Sequence, residues 1–463
     1  MVAIAPPLDV PALLRRQQDY FQTGATRSLA FRRQQLEKLA AALESRSEAF
    51  LAALQADLRK PRLEAYASEI GFVLTEIQHT LKHLDRWMRP QRVGISLLQF
   101  PGGAFRQPEP RGLALIIGPW NYPVQLLLAP LVGAIAAGCC AVLKPSELTP
   151  NTSAQLAELI RQTFPEEYVC LVEGAVETSQ ALLAEPFDHI FFTGGTAIGR
   201  IVMTAAAQHL SSVTLELGGK SPCIIAPDAD LDVTARRIVW GKFLNAGQTC
   251  IAPDYLLAHE SIKEPLIERM IGCLSDFYGS DPQQSPDLAR IVSDRHFERL
   301  TRFLQDGRIR WGGQQDAGQR YIAPTLIDEV DWTSAIMQDE IFGPLLPILS
   351  YRDLEGAIAQ IVAQPKPLAL YLFSRDGETQ RRILSETSSG GVCLNDTLMQ
   401  VGVPELPFGG VGPSGLGAYH GKASFEAFSH YKSVLKRPFW GDVALRYPPY
   451  DGNKLSLFRR ILG

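Results

Sequence analysis

The amino-acid sequence predicts an open, doubly wound α/β protein, on three observations. A helical stretch opens the chain. From about residue 113 onward, short and continuously apolar runs alternate with helix-length segments. Glycine or proline punctuates most of the junctions.

Residues 12–90 carry the helical part. Leu36, Leu39, Ala40 and Leu43 recur at helical spacing, with Arg33, Glu37, Lys38 and Glu44 on the other side. Residues 101–110 are rich in Pro and Gly and predict a hairpin that leaves the domain. The stretch 126–143 is 18 residues of purely apolar, Gly and Pro composition, long enough to raise a membrane span. Segmentation argues otherwise: a strand at 113–117, a turn at 118–123, a helix at 124–137 stopped by Gly138, and a second strand at 139–143. Parallel strands covered on both faces are expected to be continuously hydrophobic. Further apolar runs at 168–172, 189–192, 212–215 and 223–225 flank helical segments at 153–163 and 198–207. A second α/β series runs from 231 to about 428.

Bulk properties narrow the function. The chain has 463 residues, with 45 Lys+Arg against 49 Asp+Glu, a formal net charge of −4. That balance argues against a nucleic-acid partner, which selects a basic excess. Seven cysteines, scattered and without a C-x-x-C pair, form no disulfide framework and fit a reducing, cytoplasmic setting. No secretory signal pattern opens the sequence. The last 33 residues differ: seven Lys/Arg against two Asp, among Pro and aromatic residues. Two readings stand for this tail, peripheral contact with an anionic membrane surface or an arm packed on its own or a neighbouring subunit.

Five segments carry candidate chemistry. Cys250 follows a predicted helix at 231–244 in Asn245-Ala-Gly-Gln-Thr-Cys250, where Gly247 ends the helix and no apolar run encloses the thiol. Glu216 ends an apolar strand in Leu215-Glu216-Leu-Gly-Gly-Lys220, so it is either a cleft-facing base or a strand-end partner of Lys220. Pro119-Trp-Asn121-Tyr-Pro123 puts an amide at a strand's C-terminal end, where open α/β sheets bind ligands. Lys144-Pro-Ser-Glu147 offers a cation and an anion to a polar ligand. Thr193, Gly194, Gly195, Thr196, Ala197, Ile198 and Gly199 form a glycine loop opening a helix, whose N-terminus favours phosphate. Arg200-Ile201 follows where a nucleotide-hydrolysing loop needs Lys-Ser/Thr, which excludes that activity.

In this order the segments resemble the aldehyde dehydrogenase superfamily, over residues 15–440. Glu340-Ile-Phe-Gly-Pro344 and Pro407-Phe-Gly-Gly-Val-Gly-Pro-Ser-Gly-Leu-Gly417 add to the resemblance, as does the 34-residue separation of Glu216 and Cys250. Cys250-Ile-Ala-Pro-Asp-Tyr255 and the basic tail look most like the class 3, fatty or aromatic aldehyde branch. The resemblance implies a Rossmann-like cofactor domain over 1–96 and 111–216, a catalytic α/β domain over 217–427, a β oligomerisation arm over 97–110 and 428–440, and the tail 441–463. It implies a homodimer.

It also implies roles. Cys250 attacks the aldehyde, Asn121 holds the oxyanion and Glu216 activates water. Lys144 and Glu147 hold the adenosine ribose, residues 193–199 line the diphosphate, and Glu340 and Phe342 position the nicotinamide ribose. The cofactor is NAD or NADP, with Glu147 favouring NAD because a carboxylate repels a 2′-phosphate. Tyr122 and Trp240 match the aldehyde tunnel, and Asn395 supports it. The substrates implied are medium- or long-chain aliphatic, isoprenoid or aromatic aldehydes. The alternatives are a CoA-acylating relative and a catalytically silent, membrane-associated one. No metal site is expected: His79 and His83 stand four apart on a helix without an evident third ligand. Asp228 and Asp230 read as helix-start residues. The pairs Arg15-Arg16 and Arg32-Arg33 read as solvated helix faces.

Overall fold

The computed structural model describes residues 9–96, 99–442, 444–450 and 452–462. The chain divides into two compact units. The larger holds the chain up to Trp87 and Pro110–Ser429; the smaller holds Met88–Glu109 and His430–Gly463.

Within the larger unit, five helices open the described chain, Val10–Gln22, Leu29–Ser45, Ser47–Leu58, Arg62–Ala65 and Gly71–Met88. A single π turn, Tyr66–Ile70, joins the last two. The α/β part is built on two sheets. The first has six strands in the order Gly415–Leu416, Ser212–Glu216, His189–Thr193, Leu113–Ile117, Cys140–Lys144, Val169–Leu171. The other five strands are parallel to one another, and Gly415–Leu416 runs antiparallel to Ser212–Glu216. That edge strand comes from the far end of the chain. It approaches so closely that a Cβ on Gly415 would lie 2.5 Å from the Leu215 carbonyl oxygen, which is why glycine stands there.

The 126–143 stretch resolves as the segmentation predicts. Gln125–Ala137 is a wholly buried helix, Gly138 ends it at φ 89°, and Cys140–Lys144 is a buried strand. No helix among the described residues is long and apolar enough to cross a membrane.

The second sheet has seven strands, Arg308–Trp311, Thr325–Asp328, Leu345–Tyr351, Tyr255–His259, Pro222–Ile225, Ala369–Phe373 and Gly391–Leu394. Only its first pair is antiparallel. Cys223 and Ile225 enter one apolar cluster and Ile224 another, so alternate side chains serve cores on opposite faces.

The smaller unit differs from the expected hairpin. Gly103–Pro110 is one strand, not a turn, in a three-stranded sheet with Gln91–Val93 and Ser429–Lys436. Pairing with Gln91–Val93 spans only Ala104, Phe105 and Arg106, so Pro108 and Pro110 lie beyond that ladder and deprive it of no donor. Residues 97 and 98 of the expected arm lie outside the described residues, as do 1–8 of the expected cofactor domain. The basic tail ends in a helix, Gly452–Leu462.

Two smaller expectations are corrected. Arg32 is buried, donating to the Thr26 carbonyl at 3.0 Å and the Ala136 carbonyl at 2.9 Å, and so joins the second helix to the Gln125–Ala137 helix. Asp230 does cap its helix, accepting from Val233 N–H, but Asp228 instead accepts from the backbone N–H groups of Arg375 and Asp376 at 2.7 and 2.8 Å.

Candidate active site

The six-stranded sheet organises the site. Its register aligns Ile117 with Lys144 and Thr193 with Glu216, so all four strands release their chains at one edge. Strand order reverses between Leu113–Ile117 and His189–Thr193, and a crevice opens outside such a switch point.

Glu216 is 1% exposed, and neither carboxylate oxygen has a hydrogen-bond partner among the described residues. Burial pushes its pKa well above the usual carboxylate range. The alternative pairing with Lys220 does not occur. The Lys220 ammonium turns instead to the Asp254 carboxylate and to the carbonyls of Ile336 and Asp339 at 2.9 and 3.0 Å.

Cys250 is presented by a contorted turn. Leu231–Phe243 is a helix, and the 3₁₀ turn Leu244–Gly247 follows. Asn245, Ala246 and Gly247 all lie in the left-handed region, at φ 53°, 52° and 73°. At Gly247 a Cβ would overlap the Gly343 carbonyl, so only glycine fits. Gln248 then clamps the turn from inside. Its amide donates to the carbonyls of Asn245 and Arg290 and accepts from Val292 N–H, each at 3.0 Å. The thiol of Cys250 is half-buried, and burial together with the charges of Glu340 and Glu216 pushes its pKa up.

Asn121 is tied to that turn. Its amide donates to the Gln248 carbonyl at 3.0 Å, while its own carbonyl accepts from Asn245 at 2.8 Å and from the Lys60 ammonium at 2.9 Å. Lys60 is paired with Glu69 at 2.7 Å, both fully buried, and Glu69 caps the following helix by accepting from Val124 and Gln125 N–H at 2.9 Å each. Next in sequence, the Tyr122 hydroxyl meets the Thr249 hydroxyl at 2.7 Å.

Cys250, Glu216, Thr193, Tyr122 and Trp240 line one cavity of about 750 Å³. Its other walls are mainly apolar, with Phe72, Leu126, Phe277, Met399, Val401 and Phe408 prominent. Asn395 is not among them: its side chain accepts from Ser374 N–H at 2.8 Å and ties neighbouring strands instead.

The remaining expected residues sit around the same sheet edge. Lys144 is buried at its strand end, 3.1 Å from the Glu147 carboxylate. Gly194 N–H donates to the Glu216 carbonyl at 3.0 Å. Gly195 begins the helix Thr196–His209 with no side chain capping it; Thr196 donates to the Pro413 carbonyl, and Ala197 and Ile198 are exposed. Gly199 packs on Leu217, where a Cβ would not fit. Glu340 accepts from Gly219 N–H, and burial raises its pKa to about 8. Phe342, at φ 51°, stands edge-on to Trp120 with ring centroids 5.3 Å apart.

Lys60, Glu69 and Gln248 are the site residues that sequence reasoning missed. Gln248 lies inside the quoted Cys250 segment and could have been singled out there. Lys60 and Glu69 belong to the helical region and carry no local signal.

This is the fold and site of an enzyme in which a cysteine and a glutamate share one apolar cavity. A model of the aldehyde dehydrogenase family matches residues 2–434, and the chain belongs to that family, whose members use NAD or NADP. The chain is 49% identical to the 4,4′-diaponeurosporen-aldehyde dehydrogenase of Staphylococcus aureus, covering 94% of this chain and 95% of that one. It is 49% identical to aldehyde dehydrogenase family 3 member A2 of Rattus norvegicus, over 96% of this chain and 92% of that one. The solved substrate-bound state of Staphylococcus aureus AldH matches with a TM-score of 0.96 at 46% identity, covering 99% and 100% of the two chains.

Proposed function

We propose that this chain oxidises apolar aldehydes, medium- or long-chain aliphatic, isoprenoid or aromatic, to carboxylates through a thioester on Cys250. One observation carries the reading: a thiol and an unpartnered carboxylate face a single apolar cavity.

In this scheme the Cys250 thiol gives up its proton to solvent water, and the sulfur attacks the aldehyde carbon. A C–S bond forms, and the carbonyl oxygen becomes an oxyanion held by the Asn121 amide and the Cys250 N–H. The second N–H of the Asn121 amide is the one available for this, since the first is spent on Gln248. A nicotinamide cofactor bound here would supply the hydride acceptor that turns this adduct into a thioester on Cys250. Glu216 then accepts a proton from water, the hydroxide adds to the thioester carbon, and the C–S bond breaks to release the carboxylate. A carboxylate whose pKa is raised by burial is a stronger base once ionised.

The residues fit the cofactor. The uncapped first turn of Thr196–His209 leaves backbone N–H groups for a diphosphate. Lys144 and Glu147 would hold the adenosine ribose, with Glu147 favouring NAD over NADP. Glu340 and Phe342 would position the nicotinamide ribose. On this reading the six-stranded sheet carries the cofactor and the seven-stranded part supplies the cysteine. The free edges of the smaller unit's sheet pair with a second copy, so light scattering should give twice the chain mass.

The test is a chain-length series followed at the reduced-cofactor absorbance. Each buried methylene is worth about 0.8 kcal/mol, so going from hexanal to decanal should raise kcat/KM by on the order of a hundredfold. Cys250→Ser should abolish turnover while staying folded. A flat or falling series, or an active Cys250→Ser enzyme, would overturn the proposal.

A further inference from the structure

Away from the aldehyde cavity, His79 and His83 stand one turn apart on the helix Gly71–Met88. The sequence offers them no third ligand, but the fold does. The segment after the 3₁₀ turn Met399–Gly402 brings the Glu405 carboxylate to 3.7 Å from His79 Nε2. One ligand atom from each of the three residues lies within 4.8 Å of the others. His79 Nε2 is buried and has no hydrogen-bond partner among the described residues, so it is a desolvated ligand atom with nothing else to satisfy it. The His83 ring is stacked on Trp87, with centroids 5.9 Å apart and planes 21° from parallel, which fixes its orientation.

We propose that His79, His83 and Glu405 form a site for a divalent transition metal of the zinc class. Two imidazoles and one carboxylate are a zinc donor set, with the fourth position left to water. Tetrahedral bonds of about 2.0–2.1 Å require ligand atoms roughly 3.3–3.5 Å apart. The widest spacing must therefore close by up to about 1.5 Å, and Glu405, two-thirds exposed, can swing inward with little repacking. Thr80 follows His79 where a hydrolytic H-E-x-x-H helix has its glutamate, so the helix lacks the general base of that motif.

The location gives the ion an effect. The same helix contributes Phe72 to the aldehyde cavity, and the segment flanking Glu405 contributes Val401, Gly402 and Phe408. A metal there fastens two walls of the cavity to each other.

The test uses the full chain with Cys250→Ser, which removes the cavity thiol as a competing ligand, titrated with Co²⁺ and then Zn²⁺. The expected result is one Co²⁺ per chain with a visible d–d band and no near-ultraviolet thiolate band, displaced by Zn²⁺. Zn²⁺ should also raise the thermal midpoint. Adding His83→Gln or, at the surface, Glu405→Gln should remove both responses. The same two substitutions with Cys250 intact should retain aldehyde turnover, which reports folding. Absence of a cobalt band, a thiolate signature, or a response that survives both substitutions would overturn the assignment.

Discussion

Replacing Lys60 with Met should weaken the protein and disturb its oxyanion group together. Lys60 and Glu69 are both fully buried and 2.7 Å apart. Removing one partner of such a pair costs about 3–5 kcal/mol, because the other charge is left in the interior. Two facts place Lys60→Met near the lower end. Glu69 keeps its bonds from Val124 and Gln125 N–H, and burial already pushes its carboxyl pKa up, so protonation limits the loss. At about 2.1 cal/mol/K per residue, this chain unfolds with an entropy near 1 kcal/mol/K, so about 3 kcal/mol is a fall of about 3 °C in Tm. Lys60 also donates to the Asn121 carbonyl at 2.9 Å, so kcat should fall as well. Pairing the change with Glu69→Gln should restore most of the stability, since no buried charge remains, but not the catalytic loss. Differential scanning calorimetry of the two variants reads the first effect and steady-state kinetics the second. A Lys60→Met protein with native Tm, or a double variant less stable than the single, would refute the reasoning.

Two other expectations concern proton transfer. Glu216→Gln should release one equivalent of reduced cofactor in a rapid-mixing burst, then turn over about a hundredfold more slowly, because its thioester lacks a base for water; absence of the burst would place Glu216 before hydride transfer. His189 is buried, hydrogen-bonded to the hydroxyls of Ser212 at 2.8 Å and Thr214 at 3.2 Å, and burial lowers its pKa to about 3. The unfolded chain binds its proton near pH 6.5, so stability is lost as pH falls from there toward 3. Between pH 7.5 and about 4.5 the wild type should lose about 3 kcal/mol more than His189→Gln in urea titrations; equal losses would count against a neutral buried imidazole.

What the sequence revealed, and what it hid, follows the range of the interactions. The strands Leu113–Ile117, Cys140–Lys144 and His189–Thr193 were legible because burial on both faces writes a nearly continuous apolar run. Cys250 and Glu216 were legible because each sits beside glycines that a turn requires. Arg32 was misread as solvated because its acceptor, the Ala136 carbonyl, lies at the end of another helix. Lys60 could not be matched with Glu69, since Glu69 lies inside a π turn that sets its facing and no pattern announces one. Glu405 was hidden likewise, more than three hundred positions from His79. Residues 101–110 were taken for a whole hairpin because composition registers proline without saying which donors the ladder needs.

Three local penalties lie in the region of the thiol. Ala246 adopts a left-handed backbone that costs a residue with a Cβ roughly 1–2 kcal/mol. Among the described residues neither oxygen of the buried Glu216 has a hydrogen-bond partner, nor does the buried Lys242 ammonium, whose pKa burial lowers to about 8. All three belong to the turn bearing Cys250, the helix leading into it, or the carboxylate across the cavity. Elsewhere the buried polar groups that shape this region, Gln248 and the Lys60–Glu69 pair, are richly bonded. Buried groups without partners among the described residues also occur elsewhere, at Gln17, His79 and His420 for example, so what marks this region is that one of them, Glu216, shares a cavity wall with a thiol.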